Sequence, residues 1–185
     1  TLEALQGLTE RPLVLRENRI REGDDVTGHV DLVSERAYKW SGSGKSDLIE
    51  VPGELSGRTG EERTLLLETL ADFNDELLEQ LLEDVMPGTE DVYQNLGKDL
   101  QDGAIVPVFF GSAENESGIM RLMKALRHEA PEVAQTADRQ GIEPEGDVLA
   151  QAFKIYNGAT SGKLTFVRFW RGEFTDGGSL NGSRV

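Results

Sequence analysis

The run Ile105-Val106-Pro107-Val108-Phe109-Phe110 is unbroken apolar sequence that stops at Gly111-Ser112-Ala113 and is followed, after a short polar loop, by Gly118-Ile119-Met120. Solid rather than alternating hydrophobicity predicts a strand covered on both faces. The small residues predict an abrupt exit from that strand, and the pattern after Gly118 predicts a helix to about His128. Strand, small-residue turn and helix together place backbone amides at the carboxyl edge of an open α/β sheet, where such sheets bind ligands. The chain is therefore expected to contain an α/β element of parallel type. Gly111, Ser112 and Ala113 are its candidate binding residues. The competing reading of the same residues is a tight strand exit and nothing more.

Upstream, Leu2, Leu5 and Leu8 have helical spacing, and Pro12–Leu15 reads as a short strand. Arg16–Asp25 is dense in charge without a period and reads as loop. Val26–Val33, Arg36–Trp40 and Asp47–Val51 read as three strands. Glu61–Phe73 carries leucines at amphipathic helical spacing. Asn74 is suited to cap a second helix, Glu76–Asp84, and Thr89 to cap a third, ending near Leu100. Core packing is the simpler assignment for the leucine rows 65–70 and 77–82. Pro131–Gly146, acidic and broken by prolines and glycines, reads as a linker. Beyond it the period changes to two: Val148–Tyr156, Lys163–Arg171 and Ser179–Val185 read as strands separated by Gly-rich turns. Three strands open an all-β domain without completing it.

The 185 residues carry 34 acidic and 19 basic side chains, a formal charge of −15. That surface repels phosphate backbones and argues against autonomous nucleic-acid binding. With no cysteine, disulfides and thiolate metal sites are excluded, which fits a cytoplasmic chain. No apolar run approaches the ~20 residues of a membrane span, so no membrane partner is expected. Trp40-Ser41-Gly42-Ser43-Gly44-Lys45-Ser46 superficially resembles a phosphate loop. It has Lys39 where the pattern needs its first glycine, and strand-like rather than helical sequence follows, so it reads as a hairpin loop. His29 and His128 are too isolated to form a metal pair, and no nucleophile–base pair emerges from spacing. No catalytic and no metal-ligating residue is assigned. A serine hydroxyl beside free amides at Gly111–Ala113 would suit a purine carbonyl oxygen.

Taken in order, several segments resemble elongation factor G and its relatives, the ribosomal translocation GTPases. They are Thr27-Gly28-His29-Val30-Asp31-Leu32-Val33 with Ala37 and Trp40; Val51-Pro52 with Glu54-Leu55; Asp75-Glu76-Leu77-Leu78-Glu79 with Leu82; Val106–Ala113 with Gly118; and Ala152-Phe153-Lys154-Ile155, Gly162–Phe166, Arg168 and Gly172. The resemblance covers nearly the whole chain. It implies an α/β fold: the C-terminal part of a P-loop GTPase G domain with an α+β insert, followed by the first strands of an all-β barrel. The implied domains are residues 1–135 with the insert at about 17–100, a linker at 136–146, and the start of the second domain at 147–185. It implies that Gly111, Ser112 and Ala113 are the fifth guanine-nucleotide motif, facing the base.

By the same resemblance, the phosphate loop, switches, Mg²⁺ ligands, catalytic histidine and Asn-Lys-x-Asp motif precede Thr1, so the chain is expected to be part of something longer. GTP or GDP with Mg²⁺ is then the parent's ligand, none is expected on these residues alone, and GTP hydrolysis by them is not expected. The implied partner is the ribosome, with the insert facing the large-subunit stalk proteins. Glu114-Asn115-Glu116-Ser117 stands where the family has an aromatic, Lys, Asn and Lys, and Glu129-Ala130-Pro131-Glu132 replaces its Leu-Pro-Ser-Pro exit, which points to a divergent paralogue. The alternative functions are a non-catalytic acidic interaction module and a family member working in ribosome recycling or protection.

Overall fold

A computed structural model describes residues Leu2–Thr160 and Gly162–Arg184. They divide into two compact units, 1–130 and 131–185, and the chain is mixed α/β.

The first unit begins with α1 (Leu2–Gln6) and β1 (Leu13–Leu15), then a meander of β2 (Glu17–Glu22), β3 (Asp25–Asp31), β4 (Ala37–Gly42) and β5 (Lys45–Ile49). The meander forms one antiparallel four-stranded sheet in chain order. Helices α2 (Gly53–Ala71), α3 (Asp75–Leu82) and α4 (Thr89–Gln101) follow, then β6 (Val106–Val108) and α5 (Ile119–Glu129). Strand β6 pairs parallel with β1, Leu13 opposite Val106 and Leu15 opposite Val108, as the α/β expectation requires.

One core packs β1 and the segment just after β3 against the helices: Val14, Leu32, Val33, Leu66, Leu67, Leu70, Leu77, Val92, Leu96 and Ile105 are all buried. A smaller one, Ile20, Val30 and Ala37, lies against Ile49, Val51 and Leu55. The leucine rows split as an amphipathic helix must: Leu66, Leu67, Leu70 and Leu77 face inward, whereas Leu65, Leu78 and Leu82 are exposed. The Asn74 side chain accepts from the amides of Glu76 and Leu77 at 3.0 and 3.1 Å and caps α3 as read. For α4 the cap is Gly88, and Thr89 is the first helical residue.

Three readings of this unit need correction. Arg16–Asp25 is not loop; it contains β2, with Arg16, Glu17 and Asn18 buried. Its charges are neutralised by partners far away in sequence, so local composition did not reveal a strand. Helix α2 starts at Gly53, eight residues before Glu61, despite Gly53, Gly57 and Gly60; tertiary packing of Thr59 and Arg63 overrides their low helix propensity. The apolar run is not covered on both faces: Val106, Pro107 and Val108 are half-buried and only Ile105 is enclosed. Among the described residues its sheet has just two strands, which leaves that run less to pack against.

In the second unit, α6 (Val133–Arg139) occupies part of the acidic stretch read as linker, where Gln135 Oε1 accepts the Glu132 amide at 2.9 Å. A long antiparallel hairpin follows, β7 (Leu149–Gly158) and β8 (Gly162–Arg171). Phe153 and Phe166 meet across it with ring centres 6.3 Å apart. The single third strand read at Ser179–Val185 is instead a two-residue pair, β9 (Ser179–Leu180) with β10 (Ser183–Arg184); Asn181 and Gly182 turn the backbone at positive φ. Residue Val185 lies outside the described residues. Among those residues no helix is long and apolar enough to cross a membrane.

Candidate nucleotide-binding site

The strand exit at Phe110 leads into a closed turn. Ser112 and Ser117 exchange both backbone hydrogen bonds, at 2.9 and 3.0 Å. Within that turn the Asn115 amide donates to Ser112 Oγ at 3.3 Å and the Glu116 amide to the Ala113 carbonyl at 3.3 Å. Two glycines let the chain close. Gly118, the N-cap of α5, has φ +73°, and a Cβ there would lie 2.3 Å from the Phe110 carbonyl oxygen. A Cβ on Gly111 would lie 2.8 Å from the Ser117 carbonyl oxygen.

Gly111 and Ala113 are exposed and Ser112 half-buried. Among the described residues no protein acceptor takes the amide protons of Ala113 or Glu114. The turn therefore presents two free amides and a hydroxyl that still has its own proton to give, a set suited to a carbonyl oxygen. The Trp40–Ser46 segment is the hairpin loop expected: Trp40 pairs with Ser46 across β4 and β5.

Behind the turn lies a buried charged cluster that the sequence reading missed. Glu17, fully buried, accepts the Phe110 amide on Oε2 at 3.1 Å. Its Oε1 faces Arg121 Nε at 3.6 Å and His29 Nε2 at 3.7 Å. Arg121 reaches Asp31 Oδ2 through two N–H groups at 2.7 and 3.1 Å. Asp31 Oδ1 accepts from the amides of Val33 and Ser34 and from the hydroxyls of Ser34 and Tyr93. Trp40 donates its indole N–H to His29 Nδ1 at 3.1 Å, so neutral His29 carries its proton on Nε2, toward Glu17. Arg16, also fully buried, grips Glu129 at 2.6 and 3.1 Å and lies over the rings of Phe109 and Tyr93. His128, by contrast, is exposed near the end of α5. Among the described residues no three His, Asp or Glu side chains are grouped to hold a metal ion.

Burial raises the Glu17 carboxyl to about 7, against the pull of the Phe110 amide and Arg121. Burial lowers His29 to about 4. Burial also raises Asp31, but Arg121 and the Ser34 amide outweigh it and leave that carboxyl below its usual range. These shifts act on stability in opposite senses. The Glu17 contribution is complete below about 4.5 and is lost as pH rises through 7. The His29 contribution is complete above about 6.5 and is lost as pH falls through 4. Glu17→Gln is therefore expected to gain stability relative to the wild type as pH rises from 5 to 7. His29→Asn is expected to gain relative stability as pH falls from 6.5 to 4. Urea midpoints at pH 4.5, 6 and 7.5 measure both, and parallel pH profiles for all three proteins would contradict the assignment.

No protein-family model matches the chain. It is 37% identical over 186 residues to an Elongation factor G-like protein of Synechocystis sp., an alignment spanning all of this chain and 28% of that protein. It is 34% identical to Elongation factor G 1 of Borreliella burgdorferi over 93% of this chain, and 30% identical to Elongation factor G 2 of Pseudoalteromonas translucida over 91%. The chain corresponds to a segment of the elongation factor G family.

It spans just over a quarter of the length of these elongation factor G relatives. A crystal structure of a Thermus thermophilus protein superposes on the whole chain with a TM-score of 0.77 and 26% identity, using 27% of that protein. The elongation factor G assignment thus agrees with the order of segments noted in the sequence.

Proposed function

We propose that this segment forms the base-facing wall of a guanine-nucleotide site in a translation factor of elongation factor G type. The reading is carried by one observation: the turn closed by Gly111 and Gly118 leaves the amides of the exposed residues Ala113 and Glu114 without an acceptor among the described residues, beside the Ser112 hydroxyl. Those groups suit the carbonyl oxygen of a guanine base and would hold the nucleotide at that edge. Bound GTP with Mg²⁺ supplies the hydrolysable phosphoanhydride. These residues orient the base and discriminate it, since adenine offers an amino group where guanine offers an acceptor. The ribosome is the proposed partner and the cytoplasm the proposed location. The four-stranded sheet with α2 to α4 corresponds to the insert proposed to face the stalk.

Ala113 tests this. In the full-length protein, Ala113→Asp puts a carboxylate beside the proposed carbonyl oxygen. It is expected to weaken GDP and GTP binding at least about tenfold, roughly the 1.4 kcal/mol of one good hydrogen bond. Because Ala113 is exposed, the thermal midpoint should not move. Titration with a fluorescent guanine nucleotide reads the affinity, and wild-type affinity in the variant would refute the proposal.

A further inference from the structure

Glu17 is the buried group whose position the fold alone does not explain. A carboxylate with no exposure is costly to bury, and one of its oxygens, Oε1, makes no hydrogen bond. Its other oxygen holds the amide of Phe110, 93 residues away, immediately before the Gly111–Ala113 turn. The turn's far side is held from the same sheet: Arg121, three residues after Gly118, is bound to Asp31 of β3 and faces Glu17 of β2. The rings leading into the turn are held too, Phe110 under Arg19 at 4.9 Å and Phe109 under Arg121 at 5.1 Å. Both ends of the turn therefore hang on β2 and β3.

We propose that Glu17 is a positioning residue for the Gly111–Ala113 turn, coupling the placement of the four-stranded sheet to the amides that face the base. The part concerning the base rests on the proposed function; the part concerning the turn does not. Glu17 is faced by Arg16 from its own segment, His29 and Asp31 from β3, Arg121 from α5 and the Phe110 amide from the strand exit, with Tyr93 of α4 reaching it through Asp31. A cleft of about 560 Å³ borders this cluster on the side of His29, Asp31, Tyr38, Tyr93 and Arg121. Protonation would turn Glu17 into a weaker acceptor for Phe110 and leave Arg121 to Asp31 alone. Ionisation of Glu17 would thereby tighten the turn.

The test uses the 185-residue chain and amide NMR from pH 5.5 to 8.5. The Phe110 amide resonance is expected to titrate with a midpoint near 7. Glu17→Gln keeps an acceptor but no charge, and should abolish that titration. Glu17→Ala should speed exchange of the Phe110 and Ser112 amides at least about tenfold. A Phe110 amide that does not titrate in the wild type overturns the proposal, whether or not Glu17→Ala folds. In the full-length protein, Glu17→Gln should lower guanine-nucleotide affinity about threefold to tenfold above pH 7 and flatten its pH dependence. Affinity unchanged by Glu17→Gln would overturn the coupling to the base. Absence of guanine-nucleotide binding in the wild type would instead refute the proposed function, while the NMR titration would still decide the turn.

Discussion

Replacing Arg16 by methionine should destabilise the first unit by about 3–5 kcal/mol. Arg16 has no exposed surface, and its guanidinium makes a bidentate pair with Glu129 at the end of α5. Methionine fills much of the same volume and keeps contact with the rings of Phe109 and Tyr93. What it removes is the charge that makes burial of Glu129, itself 6% exposed, tolerable. The loss therefore reflects an orphaned buried carboxylate rather than lost packing. The second half of the experiment follows: Arg16→Met with Glu129→Leu should recover at least half of the loss, because the uncompensated charge is gone. Urea denaturation in a Trp170→Phe background, with Trp40 as the reporter in this unit, measures both. A single variant costing less than about 1 kcal/mol would mean that the pair is solvated and that the cluster is not a structural anchor.

Gly118→Ala is expected to cost about 2–4 kcal/mol and to open the turn. The residue sits at φ +73°, where an L side chain costs about 1–2 kcal/mol by itself. The new Cβ would also sit 2.3 Å from the Phe110 carbonyl oxygen and 3.0 Å from Gly111 Cα. Both neighbours are backbone, so relief requires moving the strand exit or the start of α5. The Ser112–Ser117 pair should then be lost, seen as rapid exchange of both amides. Gly60→Ala is the control. That glycine lies inside α2 at a helical φ, and a Cβ there meets nothing within 4 Å, so the change should stabilise by about 0.5–1 kcal/mol. Equal stability of the Gly118 and Gly60 variants would show that the turn is not constrained as described.

The turn itself was legible from its residues. An apolar run ending in Gly-Ser-Ala, with a second glycine opening a helix, carries a local signal because each requirement is met within a few positions of chain. The cap at Asn74 and the hairpin at Trp40–Ser46 were legible for the same reason: one is a side chain reaching amides two and three residues on, the other a pair of strands joined by a two-residue turn. The start of α2 was not, since Gly53, Gly57 and Gly60 argue locally against helix and only the packing of Thr59 and Arg63 decides otherwise.

Periodicity and turn chemistry in the sequence settled most of the helices and strands, their order, and the small-residue turn between Phe110 and Gly118, because these depend on neighbours within about one helical turn or one strand pair. The tertiary structure alone decided that Arg16, Glu17, His29 and Asp31 lie inside. A run such as Arg16-Glu17-Asn18-Arg19 looks like solvated surface until Glu129, Phe110 and Arg121 are brought to it from 93 to 113 residues away. Burying a charge is unfavourable by itself and tolerable only beside its counter-charge and hydrogen-bond partners. Those partners are a property of the fold and of no local stretch of sequence.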